Sequence, residues 1–283
     1  RDLHYPLRRQ RQMCIRDSFH AFHVDIIELL FFLFKSPACS LHHNPYHESG
    51  GSILIGFDVS RYEVVSDWNA VRSAGYVFGS TRATVGDYYT DPTFESYWQG
   101  MKDAGILRMA YHVLAPDRPQ NQIKRFIDLV RTDWGELPPV LDLELDRGVE
   151  RKVITDKTLY CLKELEKASN RKPIVYTTAS FAASHLLPAA DLGSFPLWVA
   201  NYTTKPIPTM PSFWTQWVFW QYTEAGKIPG INGATDLNWF NGDQDALNAM
   251  AGIKPAPPVS LEEWARQVDA WARTRGYSGP KLA

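Results

Sequence analysis

The run Leu141-Asp142-Leu143-Glu144-Leu145 sets two carboxylates two residues apart in an otherwise apolar stretch. On a strand, side chains two apart point to the same side, about 6.5 Å apart along the backbone, so both acids face one way and the leucines the other. Two unpaired acids on a buried strand are costly for structure alone. Close like charges push one carboxyl pKa upward, and a carboxyl kept protonated near neutral pH can act as a general acid. The structural alternative is that Asp142 and Glu144 pair with Arg82 and only brace the fold. That alternative weakens once Asp58 and Asp236 are brought to the same face, because four acids then converge.

The elements that must position these acids follow from periodicity. From Gly51 onward, short β-rich runs alternate with helical patterns, the mark of βα units. Strands are expected at Ile53–Phe57, Tyr76–Thr81, Ile106–His112, Val140–Leu145, Pro173–Thr177, Leu197–Ala200, Trp217–Tyr222 and Thr235–Trp239. Ser66 can cap a first helix carrying Trp68 and Val71. Asp91-Pro92 opens a second, with Phe94, Tyr97, Trp98 and Met101 on one face and Gly105 at its end. Ile123, Phe126, Ile127 and Val130 mark a third, Leu159, Cys161, Leu162 and Leu165 a fourth, and Ser180 to Leu187 a short fifth. Neither segment after the sixth strand has ten residues of helical period, and Pro206, Pro208 and Pro211 break the first. The fold class is therefore α/β, a (β/α) barrel of the TIM-barrel type with about eight strands and five helices, irregular in its last third.

In such a barrel the strand ends converge on one face, so the polar residues that close each apolar strand are the candidates for chemistry. They are Asp58, Arg82, His112, Asp142, Glu144, Tyr176, Asn201, Tyr202, Gln221 and Asp236. Two carboxyl groups flanking a small gap meet the requirement for glycosidic bond cleavage: one protonates the leaving oxygen, and the other stabilises the oxocarbenium-like centre or directs water. Sugar faces stack on rings, and Tyr111, Tyr176, Trp198, Tyr202, Trp220, Tyr222 and Trp239 lie on or beside strand ends. Two or three of them are expected to touch substrate and the rest to be core. His112 reads as a satisfied barrel residue and Cys161 as a buried small hydrophobe. A zinc hydrolase is disfavoured, since His112 and His185 are the only histidines after residue 50 and no H-x-x-x-H pair occurs.

Taken together, Gly56-Phe57-Asp58-Val59-Ser60, Asp67-Trp68, Arg82-Ala83-Thr84 with Gly86, Ala110-Tyr111-His112, Pro139-Val140-Leu141-Asp142-Leu143-Glu144, Pro173-Ile174-Val175-Tyr176-Thr177, Leu197-Trp198-Val199-Ala200, Trp220-Gln221-Tyr222 and Asp236-Leu237-Asn238 resemble glycoside hydrolase family 25, the lysozymes often called muramidases. The resemblance runs from about Ile53 to Leu247 and implies a flattened barrel whose last strands lack regular helices. It also implies Glu144 as general acid, Asp142 as its partner, and Asp58 and Asp236 as the other active-site carboxylates. Tyr111, Tyr176, Trp198, Asn201, Tyr202, Gln221 and Arg82 are the expected substrate contacts. The implied substrate is peptidoglycan, cut at the β-1,4 bond from N-acetylmuramic acid to N-acetylglucosamine, with no metal or organic cofactor. Either Asp236 directs water or acts as a nucleophile, or the substrate's 2-acetamido group attacks while Asp142 or Asp236 orients it; the D-x-E spacing favours the second route. One departure stands out: Arg61-Tyr62-Glu63 replaces the Trp- or Gly-containing turn of many members, which bears on substrate contacts near Asp58. The competing readings are a catalytically silent glycan-binding barrel and a glucosaminidase or chitinase-like enzyme, the latter lacking any D-x-x-D-x-D-x-E before Glu144.

The whole chain has 283 residues with 30 basic and 31 acidic side chains, a net charge of −1. Near-neutrality argues against holding nucleic acid or an anionic membrane by charge. Six of the eight histidines and two of the three cysteines fall within residues 1–50, which lack sustained periodicity. Arg8 to Ser18, RRQRQMCIRDS, resembles the translation of a DNA-sequencing library adapter, so 1–50 reads as a disordered or artefactual leader. Its apolar run Ile26 to Phe34 is too short to span a bilayer and meets the pattern of a secretory signal imperfectly. Cys14, Cys39 and the His42, His43 and His47 group therefore carry no functional weight. The expected domains are the catalytic barrel at 51–250, a Pro-rich linker at 251–259, and a helical tail at 260–283. In the tail a Ser260/Glu263 capping box precedes a stripe of Leu261, Trp264, Val268 and Trp271, expected to dock on the barrel. A monomer acting outside the cell or at the wall, secreted or phage-released, completes the expectation.

Overall fold

The computed structural model describes residues 54–188, 190–254, 260–276 and 278. The leader, with its adapter-like run, its cysteines and its histidine group, and linker residues 255–259 lie outside the described residues.

Eight strands close into a barrel. β1 (Ile55–Val59), β3 (Tyr76–Val85), β5 (Leu107–Val113), β6 (Val140–Asp142), β7 (Ile174–Thr178), β8 (Leu197–Ala200) and β9 (Phe219–Gly226) follow one another in parallel, and β11 (Thr235–Phe240) runs antiparallel between β9 and β1. A direct β1–β3 pairing completes the ring. β4 (Tyr89–Thr90) extends β3, while β2 (Val64–Val65) and β10 (Ile231–Asn232) pair separately. Eight helices are described: α1 (Trp68–Ser73), α2 (Phe94–Asp103), α3 (Pro119–Val130), α4 (Arg151–Ser169), α5 (Ala179–His185), α6 (Ala190–Gly193), α7 (Gln244–Met250) and α8 (Leu261–Thr274). The tail helix α8 falls within the expected helical tail; the two helices not expected from the sequence are α6 and α7, whose four and seven residues are too few to show a helical period. No described helix joins β8 to β9 or β9 to β11, where the prolines and the missing period exclude one.

Alternation along each strand separates two cores. Outward residues such as Phe57, Ala110, Leu141, Val175 and Val199 pack with the helices, and α2 contributes Phe94, Tyr97, Trp98 and Met101. Inward residues Phe78, Met109, Val140, Ile174, Trp198, Phe219 and Phe240 fill the barrel, and Leu247 of α7 joins that cluster. The inward positions further along the parallel strands are Asp58, Arg82, Tyr111, Asp142 and Tyr176. The barrel is thus packed with apolar side chains at one end and lined with polar ones at the other. Gly56 lies two residues before Asp58, and a Cβ there would come within 2.2 Å of the Phe78 ring, so only glycine admits that ring.

Helix α1 is capped by Asp67, not Ser66: Asp67 Oδ1 accepts from Asn69 and Ala70 N–H at 2.9 and 3.0 Å, while Ser66 Oγ donates to Gly230 O. In α8, Ser260 Oγ accepts from Glu263 N–H at 3.1 Å. Of its stripe, Leu261 is 84% and Trp264 55% exposed, so the face expected to dock is largely open at its start. None of the helices among the described residues is long and apolar enough to cross a membrane.

On the outer side of β5, Arg108 is 1% exposed and forks both ways, to Asp133 at 3.0 Å and to Glu136 at 2.8 Å, with its guanidinium 4.5 Å from the Trp98 ring. Burial raises both acids' pKa values, but the hydrogen bonds from Arg108 outweigh it and hold them below their usual values. Arg108→Met is expected to cost about 3 kcal/mol at pH 7, because two partly buried carboxylates lose their cation. Depressed carboxylate pKa values stabilise the fold above pH ~4 and lose that contribution as pH falls through the folded-state values. The deficit of the variant in denaturant melts should therefore shrink from pH 7 to pH 3; an equal deficit at both would refute the ionic account.

Candidate active site

The polar end of the barrel opens into a cleft of about 490 Å³. Its lining brings together Asp58, Arg82, Tyr111, Asp142, Glu144, Tyr176, Trp198, Gln221 and Asp236, so that every strand of the ring contributes at or near its end. Asp236 does not close its strand, as the apolar-run pattern suggests, but opens it. It reaches this face because β11 is antiparallel, which sets Asp236 opposite Asp58 in register. Asn201 and Tyr202 stand outside the lining. Asn201 Oδ1 accepts from Thr209 N–H in its own loop at 2.9 Å, and the half-exposed Tyr202 reaches the site only by donating to Gln221 Oε1 at 2.8 Å.

Asp58 is held by a clamp of amides. Asn238 Nδ2 and Gln221 Nε2 both donate to Asp58 Oδ2, at 2.8 and 2.9 Å. Neither amide is oriented at random. The Trp198 indole can only donate, and it donates to Asn238 Oδ1 at 2.8 Å, which turns the Asn238 NH₂ towards Asp58. Tyr176 and Tyr202 hydroxyls donate to Gln221 Oε1 and orient that amide likewise. Trp198, 2% exposed, is therefore a floor that aims Asn238, not an open ring for a sugar face.

Burial pushes Asp58 up to about 6, against the pull of its two amide donors. Burial and then the Asp58 charge push Asp236 further, to about 8. The two carboxyls titrate as a pair that holds one proton between them at neutral pH. A raised carboxyl pKa means that the folded state binds the extra proton between the unfolded value near 4 and about 8, so stability falls as pH rises through that window. Asp236→Asn removes this titration. It should stabilise the protein by about 2 kcal/mol at pH 8 and much less at pH 5, read from urea midpoints at the two pH values; an unchanged wild-type slope would place the proton elsewhere.

The second pair is Asp142 and Glu144. β6 ends at Asp142, so Glu144 lies beyond the strand rather than on it. Extended pairing nevertheless continues: Leu143 N–H donates to Tyr176 O at 2.9 Å, and Leu143 O accepts from Thr177 Oγ1. That leaves Glu144 exposed to the cleft and Asp142 buried behind it, with Asp142 Oδ1 meeting no hydrogen-bond partner among the described residues. Burial, then the charges of Glu144 and Asp58, raise the Asp142 pKa well above its usual value, and partial burial raises that of Glu144. Arg82 does not neutralise them. It is committed to Asp91 at 2.8 Å, so the pairing that would reduce the acids to structural braces is absent.

Several residues take part in the site without a strand-end signal in the sequence. Asn238 and Asp91 act behind the lining, and Tyr88 and Tyr89 join Tyr62 and Glu63 of the divergent turn in one wall. Asn238 carries a weaker signal, since it lies two residues from Asp236 on the same strand face; Tyr88 and Tyr89, beside a loop, carry none. His112 is fully buried between Thr84 Oγ1 at 2.7 Å and Gln122 Oε1 at 3.0 Å, and burial lowers its pKa to about 4. It is a neutral core histidine. Cys161 is buried with its thiol pushed up to about 12. Among the described residues no group of His, Cys, Asp and Glu has the arrangement of a metal site.

A closed barrel with four carboxyls in one cleft defines a protein built for acid-assisted cleavage of a glycosidic bond. Residues 57–231 match the model of glycosyl hydrolases family 25, and the chain belongs to that family. It is 32% identical to the uncharacterized protein YegX of Escherichia coli O157:H7, over 84% of this chain and 88% of that one. It is 31% identical to lysozyme M1 of Streptomyces globisporus, over 69% and 70%. Among solved structures, the bacterial lysozyme of Streptomyces coelicolor superposes with a TM-score of 0.66 at 29% identity, covering 72% of this chain and 99% of that one.

Proposed function

We propose that the protein is a muramidase: it hydrolyses the β-1,4 bond from N-acetylmuramic acid to N-acetylglucosamine in peptidoglycan and acts at the cell wall. The observation that carries this reading is the pairing of an accessible acid of raised pKa, Glu144, with a buried acid, Asp142, whose Oδ1 has no hydrogen-bond partner among the described residues. Support comes from the relatives named lysozyme and N,O-diacetylmuramidase.

In this reading Glu144 gives its proton to the glycosidic oxygen. The substrate's 2-acetamido oxygen attacks C1 as the bond to the leaving sugar breaks, forming an oxazolinium ion. The Asp142 carboxylate, which lines the cleft, accepts the acetamido N–H; this stabilises its ionised form and, by mutual repulsion, favours keeping the proton on Glu144 until it is needed. Water then attacks C1 with Glu144 taking its proton, restoring the acetamido group with net retention. Direct attack by Asp236 fits less well, since burial and the Asp58 charge raise its pKa and so disfavour the ionised form that a nucleophile needs.

Clearing of purified peptidoglycan suspensions, followed by turbidity, tests the reading against a silent glycan-binding barrel. Falling turbidity with release of reducing ends is the expected result; binding to the walls without release would refute turnover.

A further inference from the structure

Glycan strands are not neutral rods, and the wall built by Arg61, Tyr62 and Tyr89 has a charge to match. Two guanidinium groups face this side of the cleft. Arg82 is spent on the fully buried carboxylate of Asp91, and its guanidinium lies 5.2 and 5.7 Å from the Tyr62 and Tyr89 ring centres. Arg61 is different. Among the described residues no carboxylate lies within ion-pairing distance of it, its side chain donates to Tyr62 Oη at 3.1 Å, and it is solvent-exposed. Yet it does not trail into solvent: its guanidinium sits 4.9 Å from the Tyr62 ring centre and 5.3 Å from that of Tyr89. The Arg61 backbone is tied down as well, its N–H donating to Asp91 Oδ2 at 3.2 Å. Two aromatic faces and an anchored backbone hold an unpaired cation at the rim of a cleft whose other charged groups are mostly acids.

We propose that Arg61, steadied by Tyr62 and Tyr89, is a subsite for a carboxylate borne on the muramic acid residue of the substrate, and so a determinant of which glycan the cleft accepts. This rests on the muramidase reading. A guanidinium pre-set in this way offers a bidentate fork to a carboxylate with little further ordering. The backbone of an N-acetylhexosamine polymer carries no such group. In peptidoglycan the carboxylate comes either from a free lactyl ether or from the stem peptide attached to it.

The test compares wild-type and Arg61→Gln on three substrates: intact walls, walls whose carboxylates have been amidated with carbodiimide and methylamine, and glycan stripped of stems by an amidase. The variant should lose about tenfold in kcat/KM on intact walls, mainly through KM, and the difference should collapse on amidated walls. An amidase frees the lactyl carboxylate that the stem had occupied, so a larger difference on stripped glycan than on intact walls assigns the group to the lactyl ether, and its disappearance there assigns it to the stem; either upholds the subsite. An equal loss on intact and amidated walls would overturn it, reducing Arg61 to a prop for the two tyrosines. Sedimentation of Glu144→Gln and Arg61→Gln/Glu144→Gln with intact and amidated walls reads the same contact as binding, so the subsite can be judged even if the bond cleaved is not the one proposed.

Discussion

Glu144→Gln is expected to lower kcat on purified peptidoglycan about a thousandfold or more, with little change in KM and no loss of fold. Gln keeps the shape and can hydrogen-bond the glycosidic oxygen, but it has no proton to give. Glu144 is exposed to the cleft and lies outside the amide clamp on Asp58, so its replacement leaves those buried bonds intact. It also relieves repulsion on Asp142, whose pKa is pushed up first by burial and next by the Glu144 charge. A substrate with a phenol-like leaving group needs little protonation and should lose much less, because general-acid assistance matters in proportion to leaving-group basicity. Equal losses on the sugar and aryl substrates would mean that Glu144 does something other than donate a proton. Activity within tenfold of wild type on walls would remove it from the chemistry altogether.

Asp142→Asn is expected to cost about a hundredfold to a thousandfold in kcat. The oxazolinium that forms when the acetamido oxygen attacks is cationic, and the substituted amide would face it with a neutral dipole in place of a carboxylate. In the substrate complex, where Asp142 is ionised by the acetamido N–H, the variant should also move the alkaline limb of the kcat–pH profile to lower pH, since Glu144 there loses a like-charged neighbour. Azide separates the two routes. If Asp142 or Asp236 were the covalent nucleophile, azide would occupy the space left by its truncation to Ala and yield a glycosyl azide of inverted configuration. Under acetamido participation neither Asp142→Ala nor Asp236→Ala gives that inverted azide, because the attacking oxygen belongs to the substrate.

The parts of the site that obey a strand's two-residue period are legible in the sequence. Asp58, Arg82, Asp142 and Tyr176 each terminate or nearly terminate an apolar run, and the barrel places all four in one cleft. Asp236 reaches the cleft for a reason that pattern does not contain: it lies at the start of β11, and only the antiparallel direction of that strand brings it opposite Asp58. Strand direction depends on which neighbours are free to pair, which local periodicity does not encode. Glu144 reads as a strand residue, yet β6 ends at Asp142 and Leu143 alone carries the bonding to β7 one residue further, while the apolar alternation runs on to Leu145. Trp198 resembles a platform for sugar because it sits near a strand end beside other aromatics. Its indole instead points into the barrel and aims Asn238, which depends on the packing of Phe219 and Tyr176 around it. Asn201 and Tyr202 fall just after β8, where the chain leaves the barrel, so their position in sequence says little about where they point. The wall of Arg61, Tyr62 and Tyr89 joins two segments well separated along the chain, and nothing short of tertiary structure puts those side chains together.

The most direct measurement is the identity of the new reducing end. Purified peptidoglycan digested by the wild-type protein is reduced with borohydride, hydrolysed, and its amino sugar alcohols are identified by mass spectrometry. Cleavage at C1 of N-acetylmuramic acid, as proposed, converts muramic acid to muramitol and leaves glucosamine unreduced; glucosaminitol as the product would show that the other β-1,4 bond is cut and that the muramidase reading is wrong.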